Sequence, residues 1–122
     1  MFNIIFYEQA NGSIPVLEYL EQLEPKARTK VIGFLELLSE YGIELREPYS
    51  KALSSGIFEL RCRYRSTQTR ILYFFYSGKD IIVTNGFTKN TKRTPRKELA
   101  LVKQRKADYK ERRQTGHDFR GI

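Results

Sequence analysis

Residues 58–76 read FELRCRYRSTQTRILYFFY. They hold two segments that read as largely apolar β-strands, into which Arg61, Arg63, Arg65 and Arg70 are set. In an extended strand alternate side chains share a face, so Leu60, Cys62 and Tyr64 point one way and Arg61, Arg63 and Arg65 the other. A third strand at about 80–87 follows the turn signal SGKD, so three consecutive strands, about 57–64, 69–76 and 80–87, form the late part of the chain. Upstream, FNIIFY at 2–7 is a first strand that ends in the turn cluster QANGS. Ser13 is the expected N-cap of a helix through about Leu23, with Pro15 in its first turn. A second helix spans Pro25 to Tyr41. Val31, Phe34, Leu35, Leu38 and Tyr41 recur on it at the spacing of one core-facing stripe, and Gly42 stands where a left-handed C-terminal cap belongs. Residues 43–56 show no sustained period and contain Pro48 and Gly56, so they are expected to be loop. The last helix is expected from Pro95 to Arg113, with Thr94 as N-cap and Glu98 in its first turn. The order βααβββα predicts an α+β fold, a mainly antiparallel sheet flanked by helices.

The chain has 122 residues, enough for one domain with a real core. That domain is expected at 1–113, with a tail at 114–122 that holds the single histidine, His117. The one cysteine, Cys62, falls on the apolar side of its strand and reads as a small buried hydrophobe in a reducing compartment. The N-terminus lacks the basic start and apolar stretch of a signal peptide, and no segment approaches the run of about 18 apolar residues that spans a bilayer. A cytoplasmic protein without membrane contact is expected.

The charge is unevenly placed. The net charge is +8, but residues 1–60 hold five Lys/Arg against nine Asp/Glu, and residues 61–113 hold sixteen against four, which makes −4 and +12. A field this one-sided points to a polyanion or an acidic partner. A basic surface kept only for solubility is the plainer alternative, although one-sided charge is a poor solubility device.

Several chemistries lack their residues. The basic half has one Cys, one His and four scattered acids, which is no metal-binding set. A lone histidine in the tail cannot complete a Ser/His/Asp triad, and the phosphate loops GxxxxGK[ST] and GxGxxG are missing. No cofactor or metal is expected. What the sequence does hold is cations with aromatic neighbours: Arg61, Arg63, Arg65 and Arg70 on the middle strands, and Lys89, Lys92 and Arg93 after the last strand. Arginine recognises phosphate in a planar, bidentate way, and lysine brings a mobile charge. If Arg70 lies beside Arg61 and Arg63, three guanidiniums surround one patch, because alternate strand residues stand roughly 6–7 Å apart. Fixed cations of this kind can bind nucleic acid. They can also stabilise the charge that builds on a phosphoryl group when a ribose 2′-oxygen attacks it, without a metal. The proton acceptor would then be a lysine of lowered pKa, a tyrosine or another crowded cation. Lys103, Arg105, Lys106, Lys110, Arg112 and Arg113 make the last helix a second basic surface, expected to be solvated unless RNA or another anion covers it.

The strands FELR (58–61) and TRILYFFY (69–76), the segment GFTKNTKRTP (86–95) and ADYKERR (107–113) resemble the HigB-like branch of the RelE/ParE superfamily, toxins of bacterial and phage type II toxin–antitoxin systems. With the early helical hairpin, the resemblance covers nearly the whole chain in order. It implies a RelE/ParE-like fold and a metal-independent endoribonuclease that cleaves mRNA on the ribosome and so inhibits translation. It implies too a cognate antitoxin, often with a helix-turn-helix domain. By position, Arg61, Arg63, Arg70 and Lys89 match the family's catalytic cations, while Arg65, Lys92, Arg93, Lys103, Lys106 and Lys110 are assigned to RNA binding. The chain departs from HigB-type toxins that use histidine and aspartate in the site, and Tyr109 is the only late tyrosine. The alternatives are a ParE-type inhibitor of DNA gyrase, which is not an enzyme, and a basic nucleic-acid-binding module. Arg61 and Arg70 are expected to be exposed, so that their replacement by alanine would leave the protein folded.

Overall fold

A run of β-branched and aromatic residues buried on both sides organises the molecule, described here by a computed structural model for residues 1–90 and 93–116. The elements are β1 (Asn3–Phe6), α1 (Pro15–Gln22), α2 (Pro25–Tyr41), a 3-10 turn (Gly42–Glu44), β2 (Ser50–Ala52), β3 (Ile57–Tyr64), β4 (Thr67–Tyr76), β5 (Asp80–Thr88) and α3 (Arg96–Gln114). The five strands form one sheet in the order β1-β5-β4-β3-β2. β1 runs parallel to β5, and every other pair is antiparallel. The fold is α+β, as the element order predicts.

One face of the sheet carries Leu60, Cys62, Ile71, Tyr73, Ile81 and Val83, packed against Val16 and Leu20 of α1 and Val31, Leu35 and Leu38 of α2. The other face lies under α3, whose Tyr109 covers Ile5, Tyr7, Phe74 and Ile82 and whose Val102 covers Ile57, Leu72 and Phe87. Because helices cover both faces, residues 69–74 and 81–85 are buried without a break and the two-residue alternation vanishes there.

Several local expectations are corrected. Helix α1 starts at Pro15 after Ile14, with no side-chain cap; the Ser13 hydroxyl instead donates to Glu18 Oε2 at 2.8 Å. Thr94 does not cap α3, which follows Pro95 without a side-chain cap. The stretch expected to be loop contains the 3-10 turn and β2, a strand of three residues, too short for a period to register. Tyr41, placed on the core stripe, is exposed. β4 begins at Thr67, so only Arg65 and Ser66 separate it from β3, and Arg65 turns the chain with φ of 54°. Gln114 is the last residue of α3, and the rest of the expected tail from 117 onward, His117 included, lies outside the described residues.

Gly42 ends α2 as expected, though by a different conformation: φ 53° with ψ −123° is outside the left-handed helical well. It is also a point of close approach. A Cβ there would sit 2.1 Å from Phe2 Cε1, so the start of the chain packs on the absence of a side chain. Gly42→Ala is expected to lower stability by about 1–3 kcal/mol, the range for a residue forced into a sparsely populated backbone region. Urea denaturation of Gly42→Ala, Phe2→Ala and the double variant checks this, and the two changes should be non-additive.

Candidate active site

The sheet register brings the strand arginines together. Arg61 on β3 is paired with Arg70 on β4, which is paired with Phe87 on β5. Two residues earlier on β3, Glu59 shares the face of Arg61 and pairs with Lys51 of β2. Past the end of β5, the Lys89 amide donates to the Gln68 carbonyl at 2.8 Å, which carries the ladder one step on and keeps Lys89 on the same face. The result is a group of four cations, Lys51, Arg61, Arg70 and Lys89, drawn from four strands or strand ends around one carboxylate.

That carboxylate is fully buried, with Glu59 at 0% exposure. An isolated buried charge is strongly unfavourable, so its partners define the site. Glu59 Oε1 accepts from Arg61 Nε at 3.1 Å and lies 3.7 Å from Arg70 Nε. Oε2 accepts from the Thr94 hydroxyl at 2.7 Å. Arg61 reaches on to Glu47, Nη1 to Oε1 at 3.5 Å. Arg70 donates from Nη1 to its neighbour's carbonyl, Thr69 O, at 3.1 Å and from Nη2 to Gln68 Oε1 at 3.0 Å.

Arg70 and Lys89 are not the exposed groups that a basic strand suggests. Arg70 is 8% and Lys89 9% exposed, and a quarter of the Arg61 side chain is accessible. Burial lowers the Arg70 pKa, with Glu59 opposing the shift and Arg61 adding to it. Burial likewise lowers the Lys89 pKa; Glu59 opposes, while Arg70, Arg61 and Lys51 push it further down. Lys89 is therefore an amine that gives up its proton more easily than a free lysine, beside two guanidiniums.

The other expected site residues separate into groups. Arg63 is exposed at the hairpin end of β3, where its Nε donates to the Arg65 carbonyl at 3.0 Å. Arg65 sits in the turn with its guanidinium 5.4 Å from the Tyr64 ring centre, so it does not continue the row of Arg61 and Arg63. Arg93 is exposed on the segment before α3, and Lys92 lies outside the described residues. On α3, Lys103 and Lys110 are exposed, but Lys106 is not a free cation: its Nζ donates to Ser55 O at 2.6 Å and lies 5.7 Å from the Phe74 ring centre. Arg105 donates to Thr84 O at 2.8 Å, Arg112 lies over Tyr7, and Arg113 lies over Tyr76 and donates to the Tyr109 hydroxyl. Much of the basic surface expected on α3 is thus the means by which the helix is docked. Tyr109 is buried beneath it, away from the cation cluster, among Ile5, Phe74 and Ile82.

Sequence reasoning missed Lys51, Glu59 and Thr94 as site residues. Lys51 lay in the supposed loop, and Thr94 was assigned to a cap. Glu59 did carry a signal, because it is an acid in step with Arg61 and Arg63 on an otherwise apolar strand.

Among the described residues no group of three or more His, Cys, Asp or Glu could hold a metal ion, and no helix is long and apolar enough to cross a membrane. Over residues 18–107, about three quarters of its length, the chain matches the family described as "Phage derived protein Gp49-like (DUF891)". None of the curated proteins compared with the chain matches it.

The burial of Arg70 reverses the expectation that its removal is harmless to the fold. Arg70→Ala leaves Glu59 short of a buried partner and should lower stability by about 3–5 kcal/mol. Arg63→Ala and Arg65→Ala, at exposed positions, should stay within about 0.5 kcal/mol of the parent. Chemical denaturation followed by circular dichroism measures all three.

Proposed function

The chain belongs to the Gp49-like family of phage-derived proteins, a RelE/ParE-type toxin family, and on that footing we propose that it is a HigB-like toxin that cleaves mRNA on the ribosome. Its family points to a partner antitoxin, since such toxins work in toxin–antitoxin pairs. The observation that carries the nuclease reading is the convergence of Arg61, Arg70 and Lys89 on one sheet face, where Lys51, opposite Glu59 on β2, adds a fourth cation.

In this reading Arg61 and Arg70 face the phosphoryl group, and Lys89 in its neutral form takes the proton of the ribose 2′-hydroxyl. The 2′-oxygen then bonds to phosphorus, the bond from phosphorus to the 5′-oxygen breaks, and that oxygen takes up a proton from water. The products are a 2′,3′-cyclic phosphate and a 5′-hydroxyl end. Negative charge grows on the phosphoryl oxygens during the attack, so cations held in place beforehand stabilise the transition state more than the ground state. Lysine suits the base here because burial and three neighbouring cations lower its pKa. Exposed Arg63, Arg93, Lys103 and Lys110 serve the flanking RNA, where phosphate neutralisation dominates affinity.

Two outcomes are expected. Induction of the intact chain in bacteria should produce new 5′ ends within translated frames, mapped on total RNA, while purified protein leaves gyrase supercoiling untouched. Uncut transcripts together with blocked supercoiling would make it a ParE-type toxin instead. Lys89→Arg keeps the charge but supplies no base near neutral pH, so cleavage should fall by about 10²–10⁴-fold. Because the base acts when deprotonated, the rate of the parent protein should rise with pH towards the lowered Lys89 pKa, and this rise should vanish in Lys89→Arg.

A further inference from the structure

We propose that Glu59 is the positioning residue of this site: its buried carboxylate holds Arg61 and Arg70 by their Nε edges and, through Thr94, ties the segment following Lys89 to the sheet. The proposal rests on the nuclease reading for its kinetic consequences, though its geometry stands without it.

Glu59 touches no solvent, so it is not placed to receive a substrate proton. Both its oxygens are taken, Oε1 by Arg61 Nε and Oε2 by the Thr94 hydroxyl. Arg70 Nε, 3.7 Å from Oε1, has no hydrogen-bond partner and is buried, so it is held by charge alone. Approach through Nε orients a guanidinium from behind. For Arg61 it leaves Nη1 to reach a different acid, exposed Glu47, at 3.5 Å. Thr94 lies on the far side of the segment that begins at Lys89, so one carboxylate connects β3, β4 and the approach to α3. A neutral residue of the same shape would keep the packing and lose this hold.

Among the described residues, this carboxylate is the acid that opposes the lowering of the Lys89 pKa. The groups that act on Lys89 are Lys51 from β2, Glu59 and Arg61 from β3, and Arg70 from β4. Removing the negative charge leaves four cations facing one another. RNA then meets a more positive surface, while the guanidiniums lose their fixed direction. Binding and turnover should therefore separate, which simple loss of folded protein does not produce.

The test uses the full chain and single-turnover cleavage of mRNA on programmed ribosomes. Glu59→Gln should lower the maximal rate by 30-fold or more, leave the half-saturating protein concentration unchanged or lower, and move the rise of rate with pH towards acid. Glu59→Asp, which restores the charge at a shorter reach, should recover part of the rate and the parent pH profile. A Glu59→Gln rate within twofold of the parent, with an unmoved profile, overturns the proposal. If Glu59→Gln does not fold, Thr94→Val decides: it should lose at least threefold in maximal rate at unchanged half-saturation, and parent-like kinetics would overturn the proposal.

Hydrogen exchange at the arginine Nε–H groups, read by nitrogen-15 NMR, needs no cleavage and separates this proposal from the nuclease reading. Arg61 Nε–H should exchange at least tenfold more slowly than that of exposed Arg65 in the parent, and Thr94→Val should narrow the difference. Equal exchange overturns the positioning role, whereas slow exchange in a protein that cuts no mRNA leaves Glu59 in its role and removes only the nuclease reading.

Discussion

The candidate site depends on a charge that water does not reach. Glu59 sits at the meeting of β2, β3, β4 and the segment before α3, and each of these sends a group towards it: Lys51 by register, Arg61 and Arg70 by charge, Thr94 by its hydroxyl. A carboxylate buried in this way is tolerated only with good partners, and one without them is severely destabilising. That requirement converts a set of flexible cationic side chains into a group of defined geometry. It also explains how several positive charges can share a small region of sheet, since the acid between them offsets part of their repulsion.

The second basic region has a different use. Helix α3 has few apolar residues to bury, chiefly Val102 and Tyr109, so its attachment draws on its cations. Arg105 and Arg112 both lie over the Tyr7 ring, with ring-centre distances of 5.6 and 5.3 Å, and Arg113 covers Tyr76 at 4.8 Å. The Tyr7 hydroxyl in turn donates to Asp108, which also accepts from Arg112. At the β5 bulge Thr84 has no partner residue on β4, and its carbonyl accepts from Arg105. At the N-terminal end, Asn85 donates to the Glu98 carbonyl and side chain. The helix is thereby fixed across the strands with its first turn close to the cation cluster, and it bounds the site on that side.

Much of the fold was legible from local pattern. The stripe of Val31, Leu35 and Leu38 specified α2 because it reflects burial on one side of a helix, and β3 was specified by the alternation of Leu60 and Cys62 with Arg61 and Arg63, although its other face also buries Ile57 and Glu59. β2 was not legible: three residues hold too little period to see, and their pairing with β3 exists only once the sheet forms. The caps were misread for a related reason. Ser13 and Thr94 have the right side chains beside the right helices, but a hydroxyl bonds whichever acceptor the tertiary structure brings nearest, and those acceptors were Glu18 and Glu59.

By itself the sequence determined the α+β class, the order of the elements other than β2 and the 3-10 turn, the uneven charge and the residue types from which a cationic site could be built, because these depend on periodicity and composition along the chain. Only the tertiary structure decided which cations meet. Register placed Arg61 beside Arg70 and sent Arg65 into a turn; packing turned Lys106 and three arginines of α3 inward; and burial made Glu59 the centre of a site in which it had been only one letter of a strand. The physical reason is that charge interactions depend on distance and on exclusion of water, and both are set by residues far apart in the chain.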